Sequence, residues 1–431
     1  MRIRRTSNLL RFALLVVSAA TCAPAQTLAG SEVQVAPGVS YRHITSTAPA
    51  GGPWSVHVLT FDRKIATRST GSGSSARGGL TLRAVAGHAE TGEMQRELPS
   101  RMGEQAGALA VVNGDYDMAA PYLGISDGLS VTSGQLWTTG RPEWPAMAIL
   151  KSGEPAVAVP QVTLELSAGS AKWQIAALNK PLASVHGTGL RLYTREYRAS
   201  IQSGTPFRAV VISGLSPALP LRVDSTVRGA VVGVVDSTRE LPIPRDAMVL
   251  ALRIPAESAA LSISAGQASS PSAPMASLAE LKPGTKVKLQ MRVTLAGRRG
   301  VRDVIGGFPI IVRDGRREIV GKPTEYLSQR HPRTAVCYNR EKIIFAVVDG
   351  RQPQLSVGMT LEELGDLMVS LGCTVAMNTD GGGSSVMAIV PAKYEATTAR
   401  ARHAVPLQIV NSPSDGQERG RGNAWAIVPK R

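Results

Sequence analysis

The segment from Ile343 to Asn378 constrains the fold of this chain more than any other. It begins with "IIFAVV" (343–348), a continuous apolar, β-branched run that reads as a buried strand and stops at Asp349-Gly350-Arg351. "TLEELGDLMVSLG" follows, with Thr360 as N-cap and Glu363 three residues later, a capping box. Leu361, Leu364, Leu367, Met368 and Leu371 share one helical face, and Gly372 suits the position just past the helix end. "TVAMN" (374–378) makes a second short strand. Strand, helix and strand within about 36 residues form a βαβ unit, whose two strands run parallel. Asp349 closes the first strand and Asn378-Thr379-Asp380 the second, so both carboxylates emerge on one sheet edge. If the strands are direct neighbours, the carboxylates stand off strands about 5 Å apart. Ligands in open α/β sheets bind off such carboxyl ends.

The remainder is organised around short strands. Residues 31–75 alternate strands with Pro and Gly turns, and "LTLRAVAGHAETGEMQREL" within 80–107 has helical spacing. A buried strand over 109–112 leads into the polar turn Asn113-Gly114-Asp115-Tyr116. Runs such as "VTLELSAG", "FRAVVISG" and "KVKLQMRV" make 145–300 β-rich, and "SAGQASSPSAPMAS" (264–277) reads as an exposed loop or soft linker. The expected fold class is α+β: mixed sheets, a C-terminal βαβ unit carrying the site, and a β-rich middle.

"MRIRRTSNLLRFALLVVSAATCAPA" has the basic start, short apolar run and Ala-Pro-Ala ending of a cleavable secretory signal. The run is too short for a bilayer span, so a secreted or periplasmic protein without stable membrane insertion is expected. The divisions read as 1–25 signal, 26–105 an N-terminal strand and helix segment, and 106–431 the main domain, with its site-bearing part over 301–431. The formal net charge is +16, with arginine spread along the chain rather than clustered. Aromatics at 4% argue against a stacking surface for nucleic acid. Beyond the leader only Cys337 and Cys373 remain, and the sequence leaves open whether they pair. Six scattered histidines and no CxxC or HxxxH spacing argue against a zinc centre or a metal-dependent phosphodiesterase, so no metal or cofactor is expected.

Chemistry concentrates in "NTDGGGSS". Gly381, Gly382 and Gly383 remove every Cβ from the path after Asp380, which suits close approach of backbone to something else. One reading is a tight turn in which Asp380 caps neighbouring amides. The other uses the amides from Gly381 to Ser385 to hold phosphate or sugar oxygens, with Asp380 at the reacting atom. Ser384 and Ser385 lack a nucleophile elbow. Arg333-Thr334, in "QRHPRTAVCY", and Arg351 allow either loop-holding ion pairs or contacts to an anion. "VVNGDYD" repeats the pattern of an apolar strand ending in a polar turn, and places Asn113 and Asp115 with the same group.

"NGDYD", "GGFPIIVRDG", "RHPRTAVCY", "VVDGRQPQLSVGMTLEELGDLM" and "NTDGGGSSVM", in that order, resemble the phosphodiester glycosidase family. The resemblance is dense over 305–390 and thinner over 110–305. Asp117 stands where relatives often carry an aromatic residue. The resemblance implies hydrolysis of the bond between a sugar's anomeric carbon and phosphate, in an N-acetylglucosamine-1-phosphodiester-like substrate. It implies catalytic roles for Asp380, Asp349 and Arg333, with Arg333 on the phosphate. Asn113, Asp115, Thr334, Arg351, Asn378, the three glycines, Ser384 and Ser385 would bind substrate. The alternatives are a carbohydrate-binding envelope protein on the same fold, or a hydrolase of the P–O bond.

Overall fold

Alternation along one strand explains the layering. In Trp54–Asp62, Val56 and Val58 face one side of a sheet while Leu59 and Phe61 face the other, and all four are buried. That sheet has eight strands, in the order Glu32–Ala36, Val39–Ser46, Trp54–Asp62, Lys342–Val348, Arg333–Tyr338, Val375–Asn378, Ile310–Arg313 and Arg316–Val320. Every pairing in it is antiparallel. The structure, a computed structural model, describes residues 30, 32–46, 52–68, 79–182, 189–237, 239–254, 278, 280–391 and 406–430. The leader and the 264–277 stretch lie outside the described residues.

Helix Leu361–Ser370 covers one face of this sheet, burying Leu361, Leu364, Leu367 and Met368 against Ile311, Val312, Ala335, Ile344 and Ala376. Its capping box is formed in full, with Thr360 accepting from the Glu363 amide and Glu363 accepting from the Thr360 amide. Cys337 on the sheet and Cys373 just past the helix are joined by a disulfide, with Cα atoms 5.8 Å apart. The opposite face packs on two five-stranded sheets through Phe345, Val347, Met377, Met147, Ile149, Val112 and Trp425. One of these holds Met387–Ile389, Ala110–Asn113, Asn423–Pro429 and Leu80–Ala86; the other holds Ala146–Leu150 and Val301–Gly306. A second eight-stranded sheet, including the long hairpin Phe207–Ser216 and Thr226–Ser237, makes the β-rich middle.

Two expectations change. Strands Lys342–Val348 and Val375–Asn378 run in the same direction, yet they are not neighbours, because Arg333–Tyr338 lies between them and pairs with both. The helical crossover leaves the gap and an earlier strand fills it, so the two strand ends stand about 10 Å apart, two strand spacings. Leu80–Ala86, expected within a helix, is a strand whose buried Leu80, Leu82 and Ala84 alternate with more exposed neighbours. Pairing with Asn423–Pro429 along its full length overrides the helical spacing, and only Pro99–Gln105 is helical.

Candidate active site

Antiparallel pairing gathers both strand ends and strand starts on one edge. Val375–Asn378 ends opposite Ala335, Arg333 begins opposite Val348, and Asn113 ends opposite Ala424. The edge therefore collects 113–117, 333–334, 349–351, 378–385 and 421–423, although these segments are far apart in sequence.

Asn113 ties three of these segments together. Its Nδ2 donates to the Asp380 carbonyl at 2.7 Å, while its Oδ1 accepts from Thr334 Oγ1 at 2.8 Å and the Val386 amide at 3.0 Å. Thr334 Oγ1 also lies 3.2 Å from Ser385 Oγ. Asn378 Nδ2 donates to Tyr116 Oη at 2.7 Å and to the carbonyls of Phe308 and Thr379 at 2.8 and 2.9 Å. Its Oδ1 is buried without a partner.

Each glycine after Asp380 makes room for a different neighbour. A Cβ on Gly381 would lie 2.7 Å from the Pro332 carbonyl oxygen. Gly382 has φ +64°, and a Cβ there would lie 3.1 Å from Arg351 Nη2. On Gly383 it would strike Arg419 and the Asp415 carboxylate at 2.3 Å. The close approach predicted for the triple glycine is made to the chain's own groups. Three of the amides expected to face a ligand are used within the chain. Gly382 N donates to Pro332 O at 2.8 Å, and Ser384 N and Ser385 N donate to Gly381 O and Gly382 O, both at 3.2 Å.

Asp380 is the carboxylate that keeps an opening. Its side chain is 12% exposed and is paired with Arg421 Nη1, which also lies 3.6 Å from Asp117 Oδ2. Asp117 in turn accepts from Arg96 Nε and from the Gly422 amide at 3.0 Å. An acid at 117 thus orients the arginine that faces Asp380. Burial raises the Asp380 pKa, opposed by the Arg421 cation and by hydrogen bonds from Ser384 and the Gly381 amide. Arg421 Nη2 is buried without a partner, like Asn378 Oδ1. Buried polar groups left unpaired in this way are uncommon in native structures. Local sequence patterns do not single out Arg421; the "RGRGN" run ahead of the apolar strand 423–429 is the only local signal that could find it.

Asp349 reaches the same edge but turns into a closed network. Its Oδ2 accepts from Ser55 Oγ at 2.8 Å and His57 Nε2 at 2.9 Å, and its Oδ1 accepts from Asn411 Nδ2 at 3.1 Å and the Ser412 amide at 2.8 Å. Burial pushes its pKa up, but the His57 and Ser55 hydrogen bonds outweigh that and hold it below the usual carboxylate value. Asn411 carries the connection onward to the Ser385 carbonyl at 3.1 Å. Asp115 is equally enclosed, accepting from Ser126 Oγ at 2.5 Å and the Gly128 amide at 2.7 Å, and burial pushes it up to about 7. Arg333 spends two of its three guanidinium nitrogens on backbone, with Nε donating to Met359 O at 2.9 Å and Nη2 to Leu327 O at 2.7 Å and to Gln329 O. Burial lowers its pKa to about 10. Arg351 is exposed beside the glycine turn, held by Tyr326 Oη at 3.1 Å and His331 Nδ1 at 3.3 Å. Among the described residues, no three His, Cys, Asp or Glu side chains converge as a metal cluster.

This edge defines a class of site: a recessed, arginine-paired aspartate on a multi-sheet antiparallel scaffold, with the exposed Arg351 beside it. Residues 226–428 match the model of the phosphodiester glycosidase family, a span that includes Asp380 and Arg421 but not Asn113. A hypothetical protein from Synechocystis has a similar structure, with a TM-score of 0.67 and 16% identity over 93% of this chain and 64% of that one. The chain thus spans just under two thirds of that protein's solved chain. A putative exported protein from Burkholderia pseudomallei gives a TM-score of 0.59 at 20% identity, over 89% and 75% of the two chains. The catalytic domain of zebrafish N-acetylglucosamine-1-phosphodiester alpha-N-acetylglucosaminidase, auto-inhibited by its pro-peptide, gives 0.44 at 14% identity, over 92% and 85%. No curated protein sequence matches the chain.

Proposed function

We propose that the protein hydrolyses the glycosidic bond of a sugar-1-phosphodiester, releasing free sugar and a phosphomonoester. The observation that carries this reading is the partly open Asp380 carboxylate paired with Arg421, whose Nη2 is left without a partner. A carboxylate and a donor side by side suit a sugar hydroxyl. The family match over 226–428 supports the same chemistry.

In this mechanism water adds to the anomeric carbon, the C1–O bond breaks, and its electron pair leaves on the phosphate oxygen. A phosphomonoester is already a weak base, so the site needs charge stabilisation more than a strong general acid. Asp380 assists the oxocarbenium-like transition state, as nucleophile or as base for the water. Asn378 and Arg421 hold sugar hydroxyls. Arg351 takes the phosphate, because its hydrogen bonds fall on Nη2 alone and the residue is exposed. Arg333 and Asp349 act through position, holding the turn that carries Tyr326 and the segment around Asn411. Export is part of this reading, and the Cys337–Cys373 disulfide suits an oxidising compartment.

Turnover of an α-N-acetylglucosamine-1-phosphodiester in ¹⁸O water tests it. Label in the free sugar is expected. Label in phosphate would mean P–O cleavage and overturn the mechanism, and saturable binding without product would make this a carbohydrate-binding protein.

A further inference from the structure

The outer face of the second eight-stranded sheet carries more positive charge than its own contacts use. Along Lys286–Thr294 the side chains alternate, with Val287, Leu289, Met291 and Val293 buried and Lys286, Lys288, Gln290 and Arg292 on the opposite face. Gln161–Ala168 and Thr226–Ser237 flank this strand, one on each side, and Ala171–Gln174 extends the sheet beyond the first. Register lines up a row of three cations: Lys172 opposite Ser167, Ser167 opposite Lys288, and Lys288 opposite Arg228. Like charges directly opposite one another cost stability, and neither Lys288 nor Arg228 has a carboxylate opposite it. The two acids of this face are engaged elsewhere. Glu165 meets Lys172 Nζ at 3.1 Å and Gln174 Nε2 at 2.9 Å, and Asp224 accepts from the Val293 and Gly300 amides, both at 3.3 Å. Among the described residues this leaves the side chains of Arg228, Lys286, Lys288, Arg292 and Arg299 without a hydrogen bond or ion pair. A groove of about 440 Å³ opens beside Arg292, lined also by Thr163, Glu165, Asp224, Gln290 and Arg299.

We propose that this face binds a linear acidic polysaccharide of the uronate type, apart from the edge that carries Asp380. The binding does not depend on the hydrolase reading, because no residue of this sheet is among those gathered at that edge. Cations repeated over neighbouring strands, about 5 Å apart across the sheet and about 7 Å along a strand, meet charges repeated along a polymer. A single small anion would engage one or two of them. The carboxylates of Glu165 and Asp224 interrupt the positive field, which suits one charge per sugar better than a continuous phosphate backbone. Thr163, Gln174 and Gln290 stand between the charges, where they can hydrogen-bond sugar hydroxyls. The face offers no exposed aromatic ring on which a base could stack, since Trp173 is buried. These rows expose no large apolar side chain that could enter a bilayer.

Interferometry of the full chain on immobilised polygalacturonate tests this. Saturable binding that weakens with added salt is expected, with none to neutral dextran. Lys288→Gln combined with Arg292→Gln should weaken it about tenfold, the scale of two exposed charge contacts, with the thermal midpoint kept. A second pair, Arg228→Gln with Arg299→Gln, should do the same. Arg351→Gln, at the Asp380 edge, should bind polygalacturonate as the native protein does. No binding to polygalacturonate, an affinity unmoved by both pairs, or an equal loss in Arg351→Gln would overturn the face. Tighter binding to duplex DNA or to vesicles of anionic lipid would overturn the occupant. Turnover keeps the two readings apart: polygalacturonate binding with no diester cleavage would sink the hydrolase and keep the face, whereas cleavage without polymer binding would do the reverse.

Discussion

Asp380 sits where two opposing influences on one carboxylate can be separated by mutation. Burial raises its pKa and Arg421 lowers it, and the proposed reaction uses the ionised form. Activity should therefore rise with pH through the Asp380 pKa. Arg421→Gln removes the lowering charge, so the acid limb of kcat/KM should move to higher pH; an unmoved limb would mean that Asp380 is not the group being read. Asp380→Asn should lower kcat about 10²- to 10⁴-fold with the thermal midpoint kept. At Asp349 the prediction concerns stability instead. Its folded pKa lies below the ordinary 3.8, so its contribution is present above that value and is lost as pH falls through the lowered one. His57→Ala leaves this buried carboxylate short of its strongest partner. It should destabilise by about 1–3 kcal/mol near neutral pH, the cost of a buried acceptor left short of a hydrogen bond, and flatten the acid-side loss. Chemical unfolding at several pH values reads both effects.

At the scale of elements, the disulfide joins the strand Arg333–Tyr338, which organises the edge, to the segment just past helix Leu361–Ser370. It closes a loop with a sequence separation of 36, for which chain entropy predicts about 4 kcal/mol. Cys337→Ala with Cys373→Ala should lower the free energy of unfolding by that order, and turnover at low temperature should survive, because neither sulfur touches the site. Helix Leu361–Ser370 itself was legible from residues 360–372 alone, since the capping box and the apolar face are local patterns. The strand between its flanking strands was not legible. The insertion depends on Val336 pairing with Phe345 on one side and Met377 on the other, and no local pattern encodes that choice. Leu80–Ala86 escapes a local reading for the same reason: its partner begins at Asn423, more than three hundred residues away.

For the whole molecule, the formal charge of +16, or about +12 once the four arginines of the expected leader are removed (16 − 4), should act on the encounter with an anionic substrate. Raising ionic strength from about 0.01 to 0.2 M, which shortens the Debye length from about 30 to 7 Å, should lower kcat/KM for a phosphodiester severalfold and leave kcat nearly unchanged. A salt-independent kcat/KM would confine the electrostatics to the contacts at Arg351 and Arg421.

Local sequence determined what depends on neighbours in the chain. This covers the capped helix, the apolar strands around it, the aspartate at the head of the glycine turn, and the arrival of Asp349 and Asp380 at one edge. Only the tertiary structure decided what those residues meet there. Asp349 is claimed by His57, 292 residues before it, and Asp380 faces Arg421, 41 residues after it. The glycines admit the chain's own arginines, and Arg333 is consumed by three carbonyls. The physical reason is that a carboxylate's role depends on its charged and hydrogen-bonding neighbours within a few ångströms, and in an antiparallel fold those neighbours come from strands remote in sequence.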